Sequence, residues 1–328
     1  MPVKLLIIRF SSIGDIVLTT PVIRCIFQQV KEVEVHFLTK KRFASIIESN
    51  PYISKVYTIE SRVSEVINDL KKEKYDHIID LHKNLRSGLV LTNLLKPYTA
   101  FNKLNFEKWL MVKFKINRLP NVHIVDRYMQ AASFLGISID NKGLDFFIPE
   151  SEEVSFDGPL SILKQGYIAV VIGGNHKTKI LPAEIVTDIV LQLNHPVAIL
   201  GGKEDMERGS FIERNSNGKA VNLCGTYSLM ESASLVKQSL AVLTNDTGLM
   251  HIAAAFNKPI ASVWGNTIPE FGMYPYVRTG TPVLIAQVND LKCRPCSKLG
   301  YPECPLKHFK CMKDQNREEI VSFLNSVV

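Results

Sequence analysis

The segment RFSSIGDIVLTTP, residues 9–21, sets Asp15 just past a β-branched run and ahead of an apolar stripe of Leu18, Val22, Cys25 and Ile26. A carboxylate at a strand-to-helix turn can take a proton from an attacking hydroxyl, so Asp15 is the candidate general base. Gly14 lets a ligand approach the backbone closely, Ser12 offers a hydroxyl beside it, and the helix start supports negative charge. The competing reading makes Asp15 a residue that only satisfies open helix amides.

A second group of chemical residues lies in NDTGLMHIAAAF, residues 245–256, where polar residues and a glycine precede a small-residue helix. The amides of Thr247, Gly248 and Leu249, with the Thr247 hydroxyl, suit a diphosphate, whose charge the helix dipole favours. His251 falls one turn inside on the same side as Thr247 and can bond a phosphate oxygen, although a lone histidine there is commonly structural. Asp246 either caps the helix or orients a sugar hydroxyl. Two more turns, VIGGNHKTKILP and ILGGKEDMERG, end apolar runs in paired glycines. Lys179 in the first can neutralise a leaving phosphate, and Glu204 in the second can accept two hydrogen bonds from a ribose diol. In the first half, DLHKNLRSG offers Lys83 and Arg86 for acceptor phosphates or carboxylates.

Such residues need a scaffold that presents loops together. Short β-branched runs alternate with helical-period segments, at Lys4 to Ile8, Val33 to Leu38, Val56 to Ile59 and His77 to Asp80. A second series follows Gly166, at Tyr167 to Ile172, Pro196 to Leu200, Ala220 to Leu223, Leu240 to Thr244 and Pro259 to Val263. That rhythm predicts two α/β domains, each a doubly wound parallel sheet, facing across a cleft where ligands meet the carboxyl ends of strands. The Pro- and acid-rich stretch FFIPESEEVSFDGPLS places the boundary near residue 160, giving domains 1–160 and 161–313. Residues 314–328 read as a final amphipathic helix.

A chain of 328 residues is long enough for two cores, and its 46% hydrophobic and 22% charged content excludes a disordered or fibrous protein. No apolar run reaches the roughly 18 residues of a membrane span, and Arg9 and Asp15 interrupt the first apolar stretch, which predicts a cytoplasmic protein. The formal charge of +7 predicts an anionic partner. Lys103, Lys108, Lys113, Lys115 and Arg118 interleave with Phe106, Trp109, Leu110, Met111, Val112 and Phe114 in a basic amphipathic stretch of the first half. That stretch suits peripheral contact with an anionic membrane face or a phosphorylated lipid acceptor. No RNA- or DNA-binding pattern accompanies it, so no nucleic-acid partner is expected. A single glycine where G-x-G-x-x-G needs three, with no P-loop motif, argues against dinucleotide enzymes and P-loop ATPases. Cys293, Cys296, Cys304 and Cys311 follow a C-x2-C-x7-C-x6-C spacing within loop 293–311, with His308 between the last two; either zinc ligation or a cluster of reduced thiols fits.

Together RFSSIGDIVLTTP, YDHIIDLHKNLRSG, KTKILP, ILGGKE, NDTGLMHIAAA and PIASVWGNT resemble glycosyltransferase family 9, the ADP-heptose:lipopolysaccharide heptosyltransferases. CRPCSKLGYPECPLKHFKCM is similar to the tail of one subgroup. The resemblance implies a GT-B fold with two Rossmann-like domains, the acceptor held by the first and the nucleotide sugar by the second, and inversion without an obligatory metal. It implies Asp15 as base, ADP-heptose as donor substrate lined by Lys179, Glu204, Asp246, Thr247, Gly248 and His251, and a lipid-linked core oligosaccharide as acceptor. Leu181 stands where the family usually carries an aromatic residue before the proline. Two other activities fit the same residues: a nucleotide-sugar epimerase or hydrolase, and a noncatalytic binder of anionic ligands.

Overall fold

The structure, a computed structural model, describes residues 2–328 apart from the side chain of Pro159. Eleven strands are described: β1 (Val3–Ile8), β2 (Val33–Lys40), β3 (Lys55–Ile59), β4 (His77–Asp80), β5 (Tyr98–Ala100), β6 (Ile168–Val171), β7 (Val197–Leu200), β8 (Ala220–Asn222), β9 (Ala241–Asn245), β10 (Ile260–Trp264) and β11 (Val283–Gln287). They form two parallel sheets with the orders β3-β2-β1-β4-β5 and β11-β10-β9-β6-β7-β8. Parallel strands require crossovers, and helices supply them except between β10 and β11, where only the short 3-10 turn Pro269–Phe271 intervenes. The two-domain α/β expectation is met, and the nine strands anticipated from β-branched runs are all present. Edge strands β5 and β11 are additional.

Both sheets have buried centres because helices cover their faces. In β1, Leu5 to Ile8 are fully buried, and all four residues of β6 and β7 are buried. The register pairs Ile7 of β1 with Phe37 of β2 and Ile79 of β4, so aliphatic and aromatic side chains stack across the first sheet. In the second sheet, Val170 pairs with Ile199 and Leu243. The last helix, Arg317–Ser326, turns Ile320, Val321 and Leu324 into that second core, beside Ile185, Val186 and Ile189. It therefore completes the second unit instead of standing apart.

By compactness the chain divides into residues 1–103 with 122–147, and 104–121 with 148–328. The sequence reading placed a single boundary near residue 160 and assigned the basic amphipathic stretch to the first half. The helix Asn105–Phe114 instead groups with the second unit, because its contacts reach Phe271 and the cysteine-rich loop. Sequence order alone could not reveal that excursion. Among the described residues no helix is long and apolar enough to cross a membrane.

Candidate functional site

In each sheet the strand order reverses between two neighbours, β1 and β4 in the first, β6 and β9 in the second. Loops leaving adjacent strands in opposite directions open a crevice at their carboxyl ends, the usual ligand position of doubly wound sheets. The loops after these four strands carry Asp15, then Lys83 and Arg86, then Lys179, then Asp246 to His251.

After β1 the chain turns into a short helix, Ile13–Val17, with Ser12 at its N-cap. Asp15 Oδ2 accepts from the Ser12 hydroxyl at 2.8 Å and the Ser12 amide at 3.2 Å. Asp15 Oδ1 receives Arg9 Nη2 at 2.6 Å. Arg9 is buried, and its remaining donors go to the carbonyls of Leu81 at 2.5 Å and Ser11 at 2.7 Å. Burial opposes its charge, but the Asp15 carboxylate outweighs that and raises its pKa. Asp15 thus closes the helix start with one oxygen and meets a fixed cation with the other. Arg9 was invisible to pattern reading because an arginine at a strand end looks like an ordinary solvated charge.

Around this pair lie groups from β4 and beyond. Burial pushes the His82 imidazole down to about 3, with Arg9 and Lys103 adding to the effect, so His82 is neutral at pH 7. Its ring stands edge-on to Phe10 at 5.4 Å. Lys103 is also lowered, first by burial and then by Arg9, while Asp80 and Asp15 pull it back up. Buried Asp80 organises the turn by accepting from the His82 amide at 2.9 Å, the Lys83 amide at 2.7 Å and the Ser87 hydroxyl at 2.6 Å. That leaves Lys83 exposed, at a left-handed φ of 51°. Arg86 donates to the Ser61 carbonyl at 3.2 Å, and its guanidinium lies over the Phe10 ring at 5.8 Å. Beside it an open groove of 610 Å³ runs past Ser61, Arg62, Ser64, Asn84, Leu85 and Arg86. The sequence singled out Arg86 but missed Arg62, which is distant along the chain.

In the second unit Lys179 Nζ and Asp246 Oδ2 are 2.5 Å apart, and the Thr267 hydroxyl donates to the same oxygen at 2.9 Å. Residues far apart in sequence are thus joined across the β6 and β9 ends. Asn245 fastens the two loops: its Oδ1 accepts from the Leu181 amide at 3.2 Å, and its amide group reaches the Val171 and Gly173 carbonyls at 3.4 Å. Thr247 is the N-cap residue of the helix Gly248–Ala255, whose first turn has its amides open. His251 is buried within that helix. Lys179, Asp246, Thr247 and Gly248 therefore share one location.

Glu204 sits on the turn after β7, exposed, its carboxylate folded back over Gly202. The neighbouring acid, Asp205, is the buried one. It accepts from the Gly202 amide at 2.9 Å and pairs with Arg208, which also donates to the Ile172 carbonyl at 3.0 Å. Burial raises the Asp205 pKa against the pull of the Gly202 amide. A Cβ on Gly173 or Gly201 would meet Asp205 Oδ2 at 2.8 or 2.7 Å, so the paired glycines make room for this carboxylate.

The cysteines do not assemble as zinc ligation would require. All six are free thiols, and among the described residues no three His, Cys, Asp or Glu side chains are grouped to hold a metal ion. Cys293 Sγ lies 3.8 Å from His308 Nε2, while Cys296 Sγ is turned to the Cys293 carbonyl at 3.2 Å. Burial pushes the Cys296 and Cys311 thiols up to about 11 and about 12, leaving them protonated at neutral pH. Arg294 fastens the loop instead, donating to the carbonyls of Val288 at 2.5 Å and Thr267 at 2.9 Å.

The family model described as glycosyltransferase family 9 (heptosyltransferase) matches residues 63–302. The chain is 25% identical to lipopolysaccharide heptosyltransferase 1 of Campylobacter coli over 296 residues, covering 80% of this chain and 84% of that one. It is 25% identical to lipooligosaccharide heptosyltransferase 2 of Campylobacter jejuni over 320 residues, covering 94% and 93%. Among solved structures it is similar to the ADP-heptose lps heptosyltransferase II of E. coli, with a TM-score of 0.73 at 18% identity, covering 99% of this chain and 98% of that one.

Proposed function

The chain belongs to glycosyltransferase family 9, and from that membership we propose that it transfers heptose from ADP-heptose to a saccharide of the lipopolysaccharide core, with Asp15 as general base. One observation carries the assignment of residues: the strand pair at each sheet's reversal ends in the side chains this chemistry needs, Asp15 in one unit and Lys179 with Asp246 and Thr247 in the other. The heptosyltransferase relatives support the donor and the acceptor class.

In this reading an acceptor hydroxyl loses its proton to Asp15 as its oxygen attacks the anomeric carbon. The bond from that carbon to the diphosphate oxygen breaks, ADP departs and the configuration inverts. Arg9 acts as a positioning residue, fixing one carboxylate oxygen of Asp15. Lys179, with three donors, can hold Asp246 and a diphosphate oxygen together, and the open amides at the head of Gly248–Ala255 receive the remaining charge. Such fixed charges aimed at a developing anion supply a large part of the rate enhancement in group transfer. Lys83, Arg86 and the groove beside them suit an acidic acceptor, while Glu204 is free to swing toward a ribose. No step runs through the cysteines.

Release of ADP from ADP-heptose, followed with and without a lipopolysaccharide core acceptor, tests the proposal. Wild type should release ADP only with acceptor, and Asp15→Asn should lower kcat by about 10²- to 10⁴-fold while donor affinity is kept. Release that ignores the acceptor would make the protein a hydrolase or epimerase; equal rates in the variant would return Asp15 to a purely structural role.

A further inference from the structure

The helix Asn105–Phe114 buries none of its residues, although six of its ten are apolar or aromatic. Its contacts divide it into two sides. Lys108 reaches over the Phe271 ring at 5.8 Å, Met111 lines a groove with Ile268 and Leu291, and Lys115, just past the helix, donates to the Pro295 carbonyl at 2.7 Å. These positions, three and four apart, form the attached side. At about 100° per residue, Phe106, Trp109, Leu110 and Lys113 fall on the opposite side. The rings of Phe106 and Trp109 are 6.0 Å apart, and those of Trp109 and Phe114 are 5.2 Å apart. Phe106 is 62% exposed, Trp109 44% and Phe114 58%.

Three neighbouring exposed aromatic rings form an apolar patch that a protein seldom leaves facing water. Ile116, also exposed, extends the patch beyond the helix end, and Lys113 and Arg118 are exposed beside it. Glu107 is the single acid of the helix, and the whole chain carries +7. We propose that this helix docks the protein on an anionic bilayer, lying flat with Phe106, Trp109 and Phe114 in the headgroup region and Lys113 and Arg118 against lipid phosphates. Charge complementarity selects this occupant: aromatic rings prefer the interface between headgroups and acyl chains, and flanking cations add attraction to acidic lipids. A helix this short with so few anchors gives reversible, salt-sensitive adsorption. The proposal stands apart from the catalytic assignment, since it is read by binding alone.

The chain carries its own reporter. It has two tryptophans, and Trp264 is 1% exposed in the second core, so a change in emission on adding vesicles comes from Trp109. Vesicles containing phosphatidylglycerol should shift that emission to the blue and carry the protein down on sedimentation. Phosphatidylcholine vesicles should do neither, and salt at several tenths molar should reverse the effect. A Phe106→Ser, Trp109→Ser, Phe114→Ser variant, judged folded by its unchanged melting, should lose sedimentation at least tenfold, and Lys113→Glu with Arg118→Glu should lose the preference for acidic lipid. Wild type that binds no vesicle, or a triple variant that sediments as wild type does, overturns the proposal. So does a concentration-dependent dimer abolished by the triple variant in the absence of vesicle binding, which would assign the patch to a second copy of this chain.

Discussion

At the residue scale, the Lys179–Asp246 pair poses the sharpest question, because a cation already matched by an anion is asked to serve a phosphate. Both side chains are partly exposed, so the pair is not a sealed structural bridge. If Asp246 serves to aim Lys179, the two residues act as one unit and their deletions do not add. Lys179→Ala should lower kcat/KM for the donor by about 10²- to 10³-fold, in line with loss of one preorganised charge. Asp246→Asn should cost less, and the double variant should fall no lower than Lys179→Ala alone. A double variant whose losses multiply would mean that Asp246 contacts the donor independently. Thr267, which donates to the same Asp246 oxygen, closes the segment PIASVWGNT, but neither its type nor its spacing singled it out there. Lys179, Asp246 and Thr247 were legible because polar residues and glycines interrupt apolar runs there. Arg9 and Asp80 were not, because Asp80 is the last residue of β4 and Arg9 directly follows β1, where a charge reads as an ordinary strand end.

At the element scale, the interior strands and the edge strands β3 and β8 announced themselves, while the edge strands β5 and β11 did not. β5 is three residues with an exposed first position, and β11 is only partly buried, so neither carries the continuous apolar run of β1 or β6. Paired on one side only, these two strands need less apolar surface, and their signal falls below that of the turns around them. Glycines were legible as turns and as places for ligand approach, but not as room for a buried carboxylate. Gly201→Ala would press a methyl group against Asp205 and the Cys224 sulfur at 3.0 Å, and should destabilise the second unit by about 1–3 kcal/mol. Gly88, within the helix Leu85–Leu94 with nothing within 4 Å of an added Cβ, is its opposite: Gly88→Ala should stabilise by about 0.5–1 kcal/mol. Urea melts of the two variants, run side by side, check both signs. Equal effects would mean that neither packing nor helix propensity governs these positions.

At the scale of the whole molecule, acid should act on the two units unequally. His36, His77 and His82 all belong to the first unit, and burial is the leading cause that lowers each. For His36, Glu73 and Glu34 partly offset burial while Lys4 and Lys55 reinforce it; for His82, Arg9, Lys103 and Arg86 reinforce it against Asp15. The sign follows from which state takes the proton. Above the unfolded value near 6.5 both states are neutral and the contribution to stability is complete. As pH falls below about 6.5, the unfolded chain gains protons that the folded unit refuses, and stability declines until the folded value is reached. For His82, whose folded value is about 3, the loss at pH 5 is about 2 kcal/mol. Unfolding of the first unit should therefore move to lower urea between pH 7.5 and pH 5. His82→Asn, compared with wild type at both pH values, should shrink that movement by the His82 share. An acid response of the same size in the variant would show that His82 does take up its proton in the fold, and that the cations around it leave room for a second positive charge beside Arg9.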